Sequence, residues 1–327
     1  MIIGAIKEIN KTETRCALTP NVVKTLTQLG HKIILQKDIG IKSSFNNNEY
    51  INAGAILDLF PENIYTQSHI LLQISPPKPE TINLLNNKQL LISDFNQFDF
   101  TTIISNPQIL RLEKIPRTSN AQTIDILSSQ HTVRGYMGAL HALYHSMRIA
   151  PQLITASTSI KPTSALVIGS SITGLQAATV FKRQGCKVTI LDINENNKEL
   201  AQSVGATFSI AKTKQDLIAL IKDKNFILSA ASSNTSSPTI LYDDLLKYIT
   251  SYPVIIDTTS NNIEITKNKQ ITSKYHFYRN LQFEKLAPTT ASELWANNML
   301  NLLKTIITPN NQIDLSTDYI SPMIYKG

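Results

Sequence analysis

The chain is poor in the groups that bind metals or cross-link. It has two cysteines, Cys16 and Cys186, and neither has a Cys or His neighbour at metal-ligand spacing. That argues against a disulfide framework, a zinc site and an iron–sulfur cluster, so no metal is expected. No apolar run approaches the roughly 20 residues of a membrane-crossing helix, and direct membrane insertion is not expected. The opening stretch MIIGAIKEINKTETR leads straight into a strand-like segment. It lacks the basic, apolar and small-residue series of a secretory signal, which makes a cytoplasmic location the expectation. The net charge is +7, but the lysines are scattered. Without a basic stripe interleaved with aromatics, no nucleic-acid partner is expected. Internal repeats and low-complexity tracts are also missing.

What remains is an ordinary globular composition, 42% apolar and 17% charged, in 327 residues. That length suits two domains better than one core. Short β-rich runs, IIGAIKE, HKIILQK, HILLQIS and QLLISDF, share the first third with TPNVVKTLTQLG. The latter has apolar residues at helical spacing and stops at Gly30. SPPKPE, from Ser75 to Glu80, is a proline-bearing loop. From about Asn120, NAQTIDILSSQHTVRGYMGALHALYHSMRIA contains no proline and reads as one long helix, near residues 121–148, linking two lobes. Within it His131, His141 and His145 fall near helical spacing and read as surface or core positions.

A second block runs from Ala165 to about Tyr278. ALVIG, KVTILD, ATFSIA, FILSAA, PVIIDTT and YHFY read as strands, most of them separated by helices such as ENNKELAQSVG and YDDLLKYITS. Such alternation predicts a parallel, doubly wound sheet. ASELWANNMLNLLKTII, from Ala291 to about Ile307, is amphipathic and is expected to return to the first lobe.

The most informative stretch is LVIGSSITGLQAATVFKRQGCKVTILDINEN, Leu166 to Asn196, which reads strand, tight turn, helix, strand, acid. Gly169 permits the turn and Gly174 lets the helix lie close on the sheet, while Leu175, Ala178 and Phe181 supply its buried face. Asp192 stands where a carboxylate accepts hydrogen bonds from the adenosine ribose and repels a ribose phosphate. No arginine follows it, so NAD(H) is favoured over NADP(H). Ser171 occupies the glycine position nearest the pyrophosphate. Its β-carbon narrows the approach, and its hydroxyl is read as free to donate to a phosphate oxygen. Two readings stand at this point, a working dinucleotide site and an α/β lobe that has lost its nucleotide.

The segments KEINKTETRCALTP, PRTSNAQTIDILSSQ and ELWANNMLNLLKTI, with the nucleotide unit between them, span nearly the whole chain. In that order they resemble the alanine dehydrogenase and pyridine nucleotide transhydrogenase family. PRTSNAQTIDILSS is similar to the signature of the NAD(H)-binding component of proton-translocating transhydrogenase, and the matching positions are Arg117, Gln122, Asp125 and Ser128. The resemblance implies α/β architecture, two Rossmann-like domains with parallel doubly wound sheets flanking a cleft and linked by long helices. The expected division is 1–133 plus 287–327 for the first domain and 134–286 for the NAD(H)-binding domain.

In function, the resemblance implies that Arg117, Gln122, Asp125 and Ser128 serve the reacting nicotinamide. Gly169, Ser171, Ile172, Gly174, Asp192, Ile193, Ala230 and Tyr278 are the expected contacts to NAD(H). Gln122 and Asp125 are three apart at a helix start, a spacing that also fits a simple N-terminal cap with Asp125 in the first turn. NADH would pass hydride directly to NADP+ on a partner subunit, and membrane-embedded partners would couple the transfer to proton movement. Because the sequence stops at Gly327 without a membrane segment, those partners are expected as separate chains. A homodimer, peripheral at the inner membrane through its partners, is also implied.

Two alternatives remain. One is an alanine-dehydrogenase-like enzyme, for which Arg15 matches the substrate-carboxylate arginine. Gln73, however, replaces the family's substrate lysine, the histidine after the next strand has no counterpart, and the catalytic aspartate falls near Asn261. The other is a degenerate, noncatalytic NAD-binding subunit. It draws on departures from the transhydrogenase pattern: IDTTSNNIEI lacks the glycine-rich stretch, the segment after Tyr278 loses the mobile-loop pattern, and Asn120 replaces a second arginine.

Overall fold

In a computed structural model of the chain, the structure describes residues 1–231, 238–259, 261–265, 274–279 and 282–326. They fall into two compact units, Met1–Gln130 with Ala287–Gly327, and His131–Leu286.

The first unit contains β1 (Ile2–Ala5), β2 (Lys32–Gln36), β3 (Ile56–Asp58), β4 (Ile70–Leu72), β5 (Leu90–Ser93) and β6 (Gln108–Arg111). Helices α1 (Pro20–Gln28), α2 (Asn47–Asn52), α3 (Pro61–Gln67) and α4 (Pro79–Ile82) connect them, and α5 (Ile126–Tyr144) follows. The strands form one parallel sheet in the order β3-β2-β1-β4-β5-β6.

In the second unit a small hairpin, β7 (Leu153–Ile154) and β8 (Ser159–Ile160), precedes β9 (Ser164–Ile168), β10 (Lys187–Leu191), β11 (Thr207–Ser209) and β12 (Phe226–Ser229). Then come β13 (Leu241–Tyr242), β14 (Val254–Asp257), β15 (Ile263–Glu264) and β16 (His276–Arg279). Helices α6 (Ile172–Arg183), α7 (Lys198–Ser203), α8 (Lys214–Ile221) and α9 (Asp243–Leu246) lie between strands, and α10 (Pro288–Ile306) belongs to the first unit. The second parallel sheet runs β11-β10-β9-β12-β14-β16, the same pattern as the first.

Both sheets are α/β, parallel and doubly wound, as the alternation of strand and helix patterns requires. β5, β12 and β14 are buried at every residue, which is why LLIS, FILS and VIID read as unbroken apolar runs rather than as alternating ones. α10 starts on Pro288, whose missing N–H costs nothing in a first turn. It buries Trp295, Met299, Leu302, Leu303 and Ile306 against Leu18, Val22 and Leu26 in the core of the first unit.

Two details differ from the sequence reading. The segment from Asn120 is not one helix: Ser119–Ile124 is 3₁₀, Asp125 takes a non-helical ψ of 87°, and α5 starts only at Ile126. At the other end α5 stops at Tyr144 rather than near 148. There the Ser146 hydroxyl accepts from the Arg148 amide at 3.1 Å and donates to the Arg148 carbonyl at 3.0 Å, a local turn that competes with the helix.

Trp295 is 2% exposed and among the largest fully buried side chains. Trp295→Ala is expected to cost about 3–5 kcal/mol of unfolding free energy, measured by urea denaturation. A loss below about 1 kcal/mol would show that α10 does not anchor this core.

Candidate functional site

In a doubly wound sheet, ligands gather outside the carboxyl ends of the strands at the point where the strand order reverses. That point lies between β1 and β4 in the first unit and between β9 and β12 in the second.

In the second unit Gly169 follows β9 with φ +95°, a left-handed conformation that glycine adopts without strain. A β-carbon there would stand 2.7 Å from the Ala231 Cα, and one on Gly174 would stand 2.0 Å from the Gly169 carbonyl oxygen. The two glycines are therefore demanded by close approach. Ser171 is the N-cap of α6, and its hydroxyl accepts from the Gly174 amide at 3.3 Å. The same hydroxyl donates its single proton to the Ala230 carbonyl at 2.8 Å. This corrects the expectation of a donor free for phosphate: the proton is already engaged by the end of the neighbouring strand.

Asp192, just beyond β10, accepts through Oδ2 from the Ser170 amide at 2.8 Å and from the Ser170 hydroxyl. Through Oδ1 it accepts from the Asn194 amide at 3.0 Å. Burial pushes its carboxyl up, but the hydrogen bonds from the Ser170 hydroxyl, the two amides and the Asn197 side chain outweigh it. The net effect holds Asp192 below the usual carboxylate value. The structure thus brings together Gly169, Ser171, Gly174, Asp192 and Ala230. Ile172 and Ile193 flank them as exposed side chains.

Two residues that the sequence reading passed over complete the turn. Ser170 lies inside the motif, where its role was open to view. Asn262 lies in a loop without glycine, and nothing local marks it. It is fully buried, accepts from the Ser229 hydroxyl at 2.8 Å and the Ala231 amide at 3.0 Å, and donates to the Pro238 carbonyl at 2.7 Å.

Tyr278, in β16, packs its ring against His141 and His145, with centroids 4.7 Å and 4.6 Å away. Among the described residues no hydrogen bond or ring contact joins it to the Gly169 turn. Burial and the neighbouring His145 push His141 down to about 4, so it is an uncharged, packed histidine at neutral pH. In the same unit, Arg134 of α5 grips the buried Glu284 with bonds of 2.8 and 2.7 Å. Ser260, Asn280 and Leu281, in the two loops that depart from the transhydrogenase pattern, lie outside the described residues.

In the first unit Asp125 and Ser128 pair with each other. Asp125 accepts from the Ser128 amide at 3.0 Å and from the Ser128 hydroxyl, an arrangement that caps the start of α5. Arg117 and Gln122 are exposed, and no ion pair of Arg117 is present among the described residues. Gln122 lies in the 3₁₀ turn Ser119–Ile124 that precedes this pair.

At the reversal point of the first sheet, Glu8 closes the crevice. Its two carboxylate oxygens accept from the Ile74 and Ser75 amides at 2.8 and 3.0 Å. Arg15 lies nearby, but its guanidinium holds the buried Glu13 through Nε at 2.8 Å and Nη2 at 2.9 Å, and Gln130 through Nη1 at 2.8 Å. Its charge is thus matched from within. Gln73 is buried, accepts from the Tyr65 hydroxyl at 3.3 Å, and leaves its Nε2 without a partner.

A cavity of about 600 Å³ lies elsewhere, at the amino-terminal edge of the second sheet beside Thr163, Asn225, Val254 and His276. The reversal rule places a ligand at the opposite edge, and the Gly169 turn, not this cavity, carries the chemistry of a nucleotide.

Glu8 gives a pH-dependent prediction. Burial pushes its carboxyl up to about 7, reinforced by the Glu13 charge and opposed by the Ile74 and Ser75 amides and by Arg15. The folded chain then holds a proton that the unfolded chain releases, so this group's contribution to stability falls as pH rises from the ordinary carboxylate range through 7. Glu8→Gln is expected to gain in Tm relative to the native chain between pH 5 and pH 8. An identical Tm difference at both pH values would refute this.

Residues 4–134 match the family described as alanine dehydrogenase/PNT, N-terminal domain, and residues 138–325 match its C-terminal domain. The chain is 26% identical to the first part of the NAD(P) transhydrogenase alpha subunit of Rickettsia prowazekii strain Madrid E, over 99% of this chain and 94% of that protein. It is 24% identical to an alanine dehydrogenase of Methanococcus maripaludis, over 79% of this chain and 71% of the relative. Its fold superposes on the crystal structure of a transhydrogenase from Sinorhizobium meliloti with a TM-score of 0.91 at 22% identity, covering 99% of this chain and 98% of that one. With both domains matched in order, the chain belongs to the alanine dehydrogenase and pyridine nucleotide transhydrogenase family.

Proposed function

We propose that this chain is the NAD(H)-binding alpha subunit of a proton-translocating NAD(P) transhydrogenase, an oxidoreductase. The observation that carries the reading is Asp192, held ionised beside the Gly169 turn at the reversal point of the second sheet. A carboxylate there accepts from ribose hydroxyls and repels a ribose phosphate, which selects NAD(H) over NADP(H). Gly169 and Gly174, each lacking a β-carbon where one would collide with backbone, fit the close passage of a diphosphate.

When bound, the dinucleotide supplies the hydride. The chain's own contribution is to bind and orient. Gly169, Ser171, Ile172, Gly174, Asp192, Ile193 and Ala230 hold the adenosine half, and Arg117, Gln122, Asp125, Ser128 and Tyr278 serve the nicotinamide half. Direct transfer to NADP+ on a partner subunit needs close, oriented rings more than a general base. That suits a chain in which Gln73 stands at the position of the dehydrogenase's lysine and the catalytic aspartate falls near Asn261. The internal pairing of Arg15 with Glu13 also weighs against a substrate carboxylate at Arg15.

The partners in this reading are an NADP-binding subunit and membrane-embedded subunits, which place the protein at the cytoplasmic face of the inner membrane. Among the described residues no helix is long and apolar enough to cross a membrane. A homodimer is supported by apolar side chains exposed near the β7–β8 hairpin, Met147, Ile149 and Ile154 among them.

Calorimetry is expected to show NADH binding, weakened roughly 10-fold or more in Asp192→Ala through loss of a charge-assisted hydrogen bond. Absence of binding at millimolar NADH, or equal affinity in the variant, would remove the reading. Mixed with the NADP-binding partner, the chain is expected to support hydride transfer from NADH to an NADP+ analogue. A chain that binds NADH yet transfers nothing would be a noncatalytic subunit.

A further inference from the structure

The edge of the second sheet opposite the Gly169 turn opens into the cavity of about 600 Å³, where β9, β12, β14 and β16 begin. Strands of four or five residues separate it from the dinucleotide turn, about 15 Å. Its size suits a small organic ligand. The hydride chemistry proposed for this chain makes no use of it.

The wall of this cavity is basic. Arg148 and Lys161 line it together with His145 and His276, and no aspartate or glutamate among the described residues does. Neither cation has an ion pair among those residues. Two positive charges around one partly enclosed space repel each other, and the wall supplies no counter-charge. Further polar groups stand ready there. Asn225 accepts from the Ser164 amide through Oδ1 at 2.9 Å, and its Nδ2 donates to no acceptor among the described residues. His276 has a buried Nδ1 with no hydrogen-bond partner, an arrangement that costs free energy until a ligand or water serves it.

The rest of the wall is apolar or aromatic. Val254 is buried, while Ile149 and Ile160 are exposed at the rim. Tyr252 stands edge-on to His276 with ring centroids 5.3 Å apart. Its backbone holds φ +54°, a left-handed conformation that a tyrosine adopts at a cost and that gathers at ligand sites.

We propose that this cavity is a second ligand site, for a small phosphate monoester with an aromatic or apolar body. Its phosphate lies between Arg148 and Lys161 with Asn225 donating, and its body rests on Tyr252, Ile160 and Val254. A phosphate monoester carries close to two negative charges at neutral pH, which matches the two cations, and the arginine fork meets two of its oxygens. The site shares no residue with the Gly169 turn and stands whether or not the NAD(H) reading does.

The test is calorimetry of the full chain with naphthyl phosphate at neutral pH. Binding is expected at sub-millimolar concentration, and Arg148→Ala is expected to weaken it about 10-fold or more, through loss of a charge-assisted hydrogen bond. An unchanged Tm in the variant shows that its fold is intact. Naphthoate, with the same rings and a single charge, is expected to bind more weakly, and saturating NADH is expected to leave the phosphate affinity unaltered. No binding at millimolar concentration, equal affinity in Arg148→Ala, equal binding of naphthoate, or displacement by NADH would each overturn the proposal. A native dimer that binds no naphthyl phosphate and becomes monomeric in Arg148→Ala would assign the cavity to a second copy of the chain, seated through Met147 and Ile149, and would overturn it too.

Discussion

The functional end of the second unit depends on one contact of backbone with backbone. Gly169 and Ala231 approach so closely that a β-carbon on the former would stand 2.7 Å from the Cα of the latter. Because that space is empty, the turn after β9 folds beneath the chain leaving β12, and the Ser171 hydroxyl reaches the Ala230 carbonyl. Asn262 holds the other side by accepting from the Ala231 amide and the Ser229 hydroxyl. Asp192 is tied to the same turn through Ser170. A larger residue at 169 would collide with backbone rather than with a yielding side chain, so the contact cannot relax without moving two strand ends.

The two units share a strand order and differ in what fills their reversal points. In the first, Glu8 caps the amides of Ile74 and Ser75 and closes the crevice from within. In the second, glycine and serine leave a turn whose groups are satisfied by side chains able to rotate. Topology thus set the place for a ligand twice, and local chemistry kept one of the two places for itself. Fold alone would not have distinguished them.

Much of this was legible in the sequence, and the failures have physical causes. The strand–turn–helix–strand–acid order from Leu166 and the apolar stripe of α10 are local patterns, and local patterns survive in sequence. β3 and β6 escaped notice because they are short edge strands, half exposed or flanked by polar residues, with little apolar signal. The start of α5 was misplaced because Asp125 and Ser128 choose to cap it, a side-chain decision that helical periodicity does not record. The hydroxyl of Ser171 was read as free because its partner, Ala230, is remote in sequence and brought near only by the sheet. For the same reason Asn262, whose partners Ser229, Ala231 and Pro238 lie 24 to 33 residues away in sequence, left no trace in any single stretch.

A turn held from both sides has a further consequence, for preorganisation. Its backbone is pinned to both flanking strand ends by the bonds of Ser170, Ser171 and Asn262, so its shape is set before any guest arrives. For the transhydrogenase subunit proposed above, which would surrender one redox form of a dinucleotide and collect the other at every cycle, a seat that keeps its shape between guests is the property that matters, and here two serines and one asparagine hold it.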